Sequence, residues 1–422
     1  MSPFSLPAFA SGLWFCPFRP FFLLTAIHAL IAIGWWLGSL TGLIPLPEMP
    51  GGPVVWHAHE MLFGFAVASI AGFLPTAVAE FTDTAPISRR AVQGLLILWL
   101  GGRIFYLAAG GIGLLPAAVC DLGLLLWLAA LTAGPLWRDL ARRHVSFFFA
   151  VLALVLAQAG FYLALWRDGN ALAWIQLAVG PVMILIVLAM SRISMRMVND
   201  AIERQGGAST AYLARPPRRN LATFAIGLYT LAEFFLPASS VSAWLALAAA
   251  AAMLNLLNDW HVGRVLLQRW VLIPYLVYWA MAVGYALIGI GLLSGGYWTG
   301  AGHHVLLIGA MALAILIVMN IAGRTHSGRV LDQRLWVPLA SGLLLIAGLL
   351  RGAAGLSFFA LAYLPLVHTA ATLWLMAWGA YFLYSWRYLA GPRPDGLTGC
   401  QGPQHIGAGD INVPQCDGGP HG

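Results

Sequence analysis

Lysine is absent from this 422-residue chain: all 22 basic residues are arginine, and with 15 acidic residues the charged fraction is only 9%. Soluble globular chains carry roughly 25% charged residues. A water-soluble domain is therefore excluded, because so few charges cannot wet the surface of a 45.3 kDa globule. Cysteine is also scarce. Cys16, Cys120, Cys400 and Cys416 form no CxxC or CxxCH, which excludes a zinc ribbon and a covalently attached c-type haem and lends no support to a disulfide framework. The opening MSPFSLPAFASG lacks an early basic stretch, so no cleaved signal peptide is expected and the first apolar run stays as an anchor.

What the chain has in abundance is apolar sequence, 60% of its residues, with a mean hydropathy of +0.82. A membrane span needs about 20 mostly apolar residues. Runs of that size centre on 21–44, 56–79, 91–110, 113–135, 145–166, 172–190, 221–237, 243–257, 270–293, 304–322, 336–350 and 365–386. They predict an all-α polytopic transmembrane bundle of about twelve spans. Arginines gather before the first span, after the even-numbered spans and after the last, with only Arg103, Arg167 and Arg351 elsewhere. The positive-inside rule then places both termini in the cytoplasm and explains the +7 net charge without nucleic acid. Residues 1–390 read as one transmembrane domain and 391–422, rich in Gly, Pro, Asp and Gln, as a disordered cytoplasmic tail. Gly34, Gly38 and Gly42 in the first span read as a helix-packing stripe.

Ionisable residues at membrane depth carry the functional information, since each is costly unless paired, hydrated or metal-bound. They are His28, His57, His59, Glu60, Arg103, Asp121, Glu233, His303, His304 and His368. The densest group is Trp56-His57-Ala58-His59-Glu60-Met61, at the outward end of span two. Positions 57 and 59 are about 200° apart on an α-helix, so one helix can serve two sites. His57, Glu60 and Met61 share a face by i,i+3 and i,i+4 spacing. His303 and His304 stand at the same membrane face, and neutral imidazole suits copper, zinc or haem iron. The competing reading is a set of solvated interfacial histidines. His28 and His368 read as hydrogen-bonded core residues and Glu233 as a helix-end residue. Arg103 either neutralises a haem propionate or pairs with Glu60 or Asp121. His326, in the basic loop RTHSGR, falls on the opposite membrane face from the HxH pair.

Three stretches make a resemblance: Phe18-Arg19-Pro20-Phe21-Phe22-Leu23-Leu24, WHAHEMLFGFAVASIAGFLPTAV over 56–78, and Leu98-Trp99-Leu100-Gly101-Gly102-Arg103. With His304 and its following apolar run, His326-Ser327-Gly328-Arg329, and the ending Ser385–Leu389 with Arg393–Gly396, the chain resembles the NnrS family over nearly all its folded length. The resemblance implies a bacterial inner-membrane protein holding haem b and copper, active in the nitric oxide response, nitrosative-stress tolerance or denitrification. It binds nitric oxide or, as an oxidoreductase, turns it over. The positions that match are His57, His59, Glu60, Arg103, His304 and His326, with the first two and His304 implied as metal ligands. Tyr275 and Asn255 stand where relatives carry histidine, and SRISMRMVN over 191–199 departs from the family pattern. A twelve-span transporter and a haem-binding sensor without catalysis are the alternatives.

Overall fold

The computed structural model describes residues 12–139, 144–205, 211–296, 298–397 and 399–400. Arg142, Arg143, Cys416 and the tail beyond Cys400 lie outside the described residues. Twelve helices of span length follow one another: α1 Phe18–Leu40, α2 Gly52–Phe81, α3 Arg89–Leu107, α4 Leu115–Arg138, α5 Val145–Trp166 and α6 Ala171–Arg204, then α7 Pro216–Phe235, α8 Ser240–Leu257, α9 Arg269–Leu293, α10 Thr299–Thr325, α11 Trp336–Ala353 and α12 Ser357–Ala390. Ten are long and apolar enough to cross a bilayer unaided. The other two, α3 and α7, have arginine pairs in their first turns, Arg89–Arg90 and Arg218–Arg219. The expected all-α polytopic bundle is thus the observed one. Helix α6 runs well past its apolar run, to Arg204.

Local chemistry starts several of these helices. Ser88 and Ser239 accept hydrogen bonds from the amides of Ala91 and Ser242, at 3.2 and 3.1 Å, at the starts of α3 and α8. Proline opens α4 and α7, where its missing N–H costs nothing. Helices α2 and α10 form the centre: 83% of the apolar window of each is buried, against 17–67% in the other eight apolar helices. Helix α10 touches α1, α2, α6, α9 and α11, and α12 returns to α1. Outward-facing Leu156, Phe224, Leu339 and Leu383 are exposed large apolar residues that a bilayer covers.

Both central helices contain a π-helical segment, Glu60–Ala66 in α2 and Val305–Ala312 in α10. Such segments widen the turn and concentrate at functional sites.

The glycine stripe of α1 does not pack helices. Nothing lies near a side chain added at Gly34, Gly38 meets only the returning Ile44, and Gly42 turns the chain at φ +73°. Regular spacing alone did not show that this face meets no neighbouring helix.

One end of the bundle carries most of the arginines, and there the two termini are tied together. The buried Arg19 donates to the carbonyls of Leu389 and Gly391, at 3.2 and 2.6 Å, at the end of α12. Cys16 and Cys400 are joined by a disulfide across 384 residues, a pairing that no local cysteine spacing could reveal. The first residues of the expected tail are docked: Arg393 is buried and donates to the carbonyl of His326 at 2.7 Å.

Candidate functional site

The other, arginine-poor end gathers two polar groups, one on each side of α2. The first is buried within helices α1 to α5. His59 is fully buried, and its Nδ1–H donates to Glu60 Oε1 at 3.0 Å, while Nε2 lies 3.4 Å from Asp121 Oδ2. Arg103 Nη2 donates to both oxygens of Asp121, at 2.6 and 2.7 Å, and Nη1 is 3.2 Å from Glu60 Oε1. The Tyr162 hydroxyl donates to Asp121 Oδ2 at 2.6 Å. His28 Nε2–H faces the Glu60 carbonyl at 3.1 Å and Glu60 Oε2 at 3.3 Å. Two carboxylates therefore share one guanidinium, and imidazole and phenol donors satisfy the remaining lone pairs.

Sequence explains why this group closes. The wide turn that begins at Glu60 presents two carbonyls to side chains: Glu60 O to His28, and Gly64 O to Trp99 Nε1 at 2.9 Å. Two glycines leave room. A methyl group at Gly64 would overlap His28 Nε2, and one at Gly102 would overlap the Asp121 carboxylate. Aromatic rings exclude water, Phe161 stacking on His59 at 4.7 Å and Tyr106 lying at 4.5 Å.

The second group lies on the opposite side of α2. His57 stacks on Trp36 of α1 at 4.5 Å with 17° between planes, and its Nδ1 is buried without a hydrogen-bond partner. His304 of α10 interacts electrostatically with His57, His303 and Arg351. The Nδ1–H of His304 donates to Gly300 O at 2.8 Å, and that of His303 to Thr299 O at 2.9 Å. Each therefore holds its free lone pair on Nε2, the tautomer a metal-binding histidine uses. Arg351, at the end of α11, has the Tyr363 ring at 5.8 Å and no carboxylate partner among the described residues. His368 Nε2 in α12 is also buried without a partner.

The structure thus separates the HxH pair, as helical geometry expects, and distributes the predicted residues between two groups. Glu60 joins His59 instead of His57, because its carboxylate is held by His59 Nδ1, His28 Nε2 and the Arg103 guanidinium. Met61 packs against the hydrophobic core. Arg103 is engaged by Asp121 and Glu60, the pairing alternative of the two expected for it. His326 lies at the far end, where its Nδ1–H donates to Cys400 O at 2.6 Å and Nε2 is 3.4 Å from Glu80 Oε2. Sequence reasoning passed over Tyr162 and Arg351. The signal for Arg351 was present, since it is one of the three arginines that break the positive-inside pattern.

The second group offers donor types that would suit a haem: imidazoles with uncommitted nitrogens, and a guanidinium with no carboxylate partner among the described residues. Copper finds no ready group, because among the described residues no three His, Cys, Asp or Glu side chains converge to hold an ion. Twelve helices with ionisable groups buried at one end define a multi-pass membrane protein built around an intramembrane polar site. The chain belongs to the NnrS family: the family described as NnrS protein matches residues 12–393. No curated protein matches the chain.

Proposed function

We propose that this protein serves the nitric oxide response of the bacterial cytoplasmic membrane by holding haem b at the arginine-poor end, with His57 and His304 as iron ligands and Arg351 facing a propionate. The observation that carries this reading is the His304 imidazole, fixed through Nδ1 to Gly300 O and within the field of Arg351, which has no carboxylate partner among the described residues. Haem iron, when bound, supplies a site for a diatomic gas. The chain's own part is to orient the imidazoles, to stack Trp36 on His57 and to keep His59 among its carboxylates. Copper, which the family resemblance implies, would require ligands to be brought together from residues that stand apart here.

The transporter alternative receives less support. A repeated six-plus-six design places its interrupted helices at corresponding positions of the halves, whereas the two π-bearing central helices are the second and the tenth.

Protein purified from haem-replete cells is expected to show a Soret band that shifts on adding nitric oxide. His57→Ala and His304→Ala should each lose most of it while eluting as folded protein. A folded, colourless wild-type protein would overturn the proposal.

A further inference from the structure

A cavity of about 60 Å³ lies among helices α1, α2, α5, α6 and α10, which contribute Phe22, Ala66, Phe147, Ala189 and Ala314 in turn, with further apolar side chains around them. It stands where three of these helices leave regular geometry. The π segment of α2 ends at the lining residue Ala66, and that of α10 ends at Ala312, just before the lining residue Ala314. Pro75 inside α2 and Pro181 inside α6 each adjoin a lining residue, Leu74 and Val182. Wide turns and interior prolines bend a helix, which keeps neighbouring helices from closing on one another.

The walls decide what the cavity holds. Ser69 is the one polar side chain among the lining residues, and its hydroxyl donates to Ala66 O at 2.7 Å. A buried water needs roughly two to four polar partners, which such walls do not supply. No charged side chain lines the cavity to balance an ion. Size sets the other limit. A water molecule needs roughly 10–15 Å³ and a benzene ring roughly 150 Å³, so the space suits a molecule of about two heavy atoms and excludes a ring or an acyl chain.

We propose that this cavity binds one uncharged diatomic gas molecule taken from the membrane interior, where an apolar solute is favoured over water. The cavity adjoins the two helices that carry His57 and His304. From His57 to Ala66 on α2, and from His304 to Ala314 on α10, the rise is roughly 13–15 Å at 1.5 Å per residue. Service as a store of nitric oxide for the iron rests on the haem reading above, whereas gas binding itself does not.

The test is xenon, an uncharged and polarisable gas atom, diffused under pressure into crystals of the full-length protein and located by its anomalous scattering. The expected result is one xenon site between Ala66, Ala189 and Ala314 in the wild type, lost in folded Ala314→Leu, whose added carbons take up the space. Should Ala314→Leu fail to fold, Ala189→Leu fills the cavity from α6, and the wild-type map decides in any case. Absence of xenon from this place in the wild type overturns the proposal. So does a xenon site unchanged in the folded variants, or an ordered water or detergent tail found in the cavity before pressurisation. In haem-loaded protein, flash photolysis of bound nitric oxide should show rebinding from within the protein that the same variant loses, and rebinding that the variant keeps overturns the storage role. Xenon uptake needs no haem, so a colourless protein that takes up xenon here refutes the haem reading and leaves the gas site standing.

Discussion

Replacing Arg103 by leucine removes the one guanidinium that touches both Glu60 and Asp121. Asp121 loses two hydrogen bonds and keeps that from Tyr162, while Glu60 keeps only the two imidazoles. Removing one partner of a buried ion pair costs about 3–5 kcal/mol, and here one cation serves two anions, so the upper half of that range is expected. At about 1 °C per kcal/mol for a chain of this length, the melting temperature falls by about 5 °C. Size-exclusion chromatography after heating in detergent measures this directly. The triple variant Arg103→Leu, Glu60→Gln, Asp121→Asn removes cation and anions together and should recover a large part of the loss, because neutral groups need no counter-charge. The reasoning is refuted if Arg103→Leu melts within about 2 °C of the wild type. If it loses haem at unchanged melting temperature, Arg103 holds a propionate and is not the clamp described above.

Gly64→Ala drives a methyl group into His28 and Arg103 and should lower thermal stability by about 1–3 kcal/mol, whereas Gly34→Ala, with open space around it, should be neutral or slightly stabilising by the same heating assay. Burial would raise the carboxyl of Asp332, in the loop after α10, but hydrogen bonds from Arg334, Trp336 and the Arg334 amide, with the Arg324 charge, hold it well below the usual range. A depressed folded value stabilises above the unfolded pKa of about 4 and is lost as pH falls through the folded one. The melting-temperature gap between wild type and Asp332→Asn should therefore be widest near neutrality and shrink below pH of about 4. The Cys16–Cys400 bond sits at the end expected to face the reducing cytoplasm, where such bonds are reduced, so alkylation in intact cells followed by mass spectrometry should find the pair opened to thiols there. A bonded pair in cells would argue that this end faces the oxidising side.

Span positions were legible because an apolar run of bilayer length can do little else in water or lipid, and all twelve appear as helices. Five members of the buried group, His28, His59, Glu60, Arg103 and Asp121, were legible one by one, since each is too costly at membrane depth to be idle; Tyr162 carries no such cost and was passed over. Which of them meet was not legible, because that depends on helix rotation. For Glu60 the partners on α1 and α3, His28 and Arg103, made the difference, drawing its carboxylate to the His59 side. Glycine spacing misled in α1 and went unremarked at Gly64 and Gly102, where what matters is the neighbour opposite and not the interval along the chain. The apolar cavity between α1, α2, α5, α6 and α10 has no sequence signature, since its walls are mostly ordinary apolar residues left slightly apart.

The three arginines that violate the positive-inside pattern tie these observations together. Loop arginines answer to the membrane's orientation, so an arginine on the wrong side must be held there by something else. Arg103 is held by Glu60 and Asp121, and its presence is explained within the chain. Arg167 ends α5 in solvent. Arg351 is half-buried, close enough to His57 and His304 to interact with both, and no carboxylate among the described residues balances it. Of the two polar groups that α2 separates, one sets two carboxylates against one guanidinium and satisfies the rest by imidazole and phenol donors, and in the other no carboxylate among the described residues meets Arg351. It is on that difference, more than on the histidine count, that the proposal of a ligand-binding side at His57 and a supporting side at His59 rests.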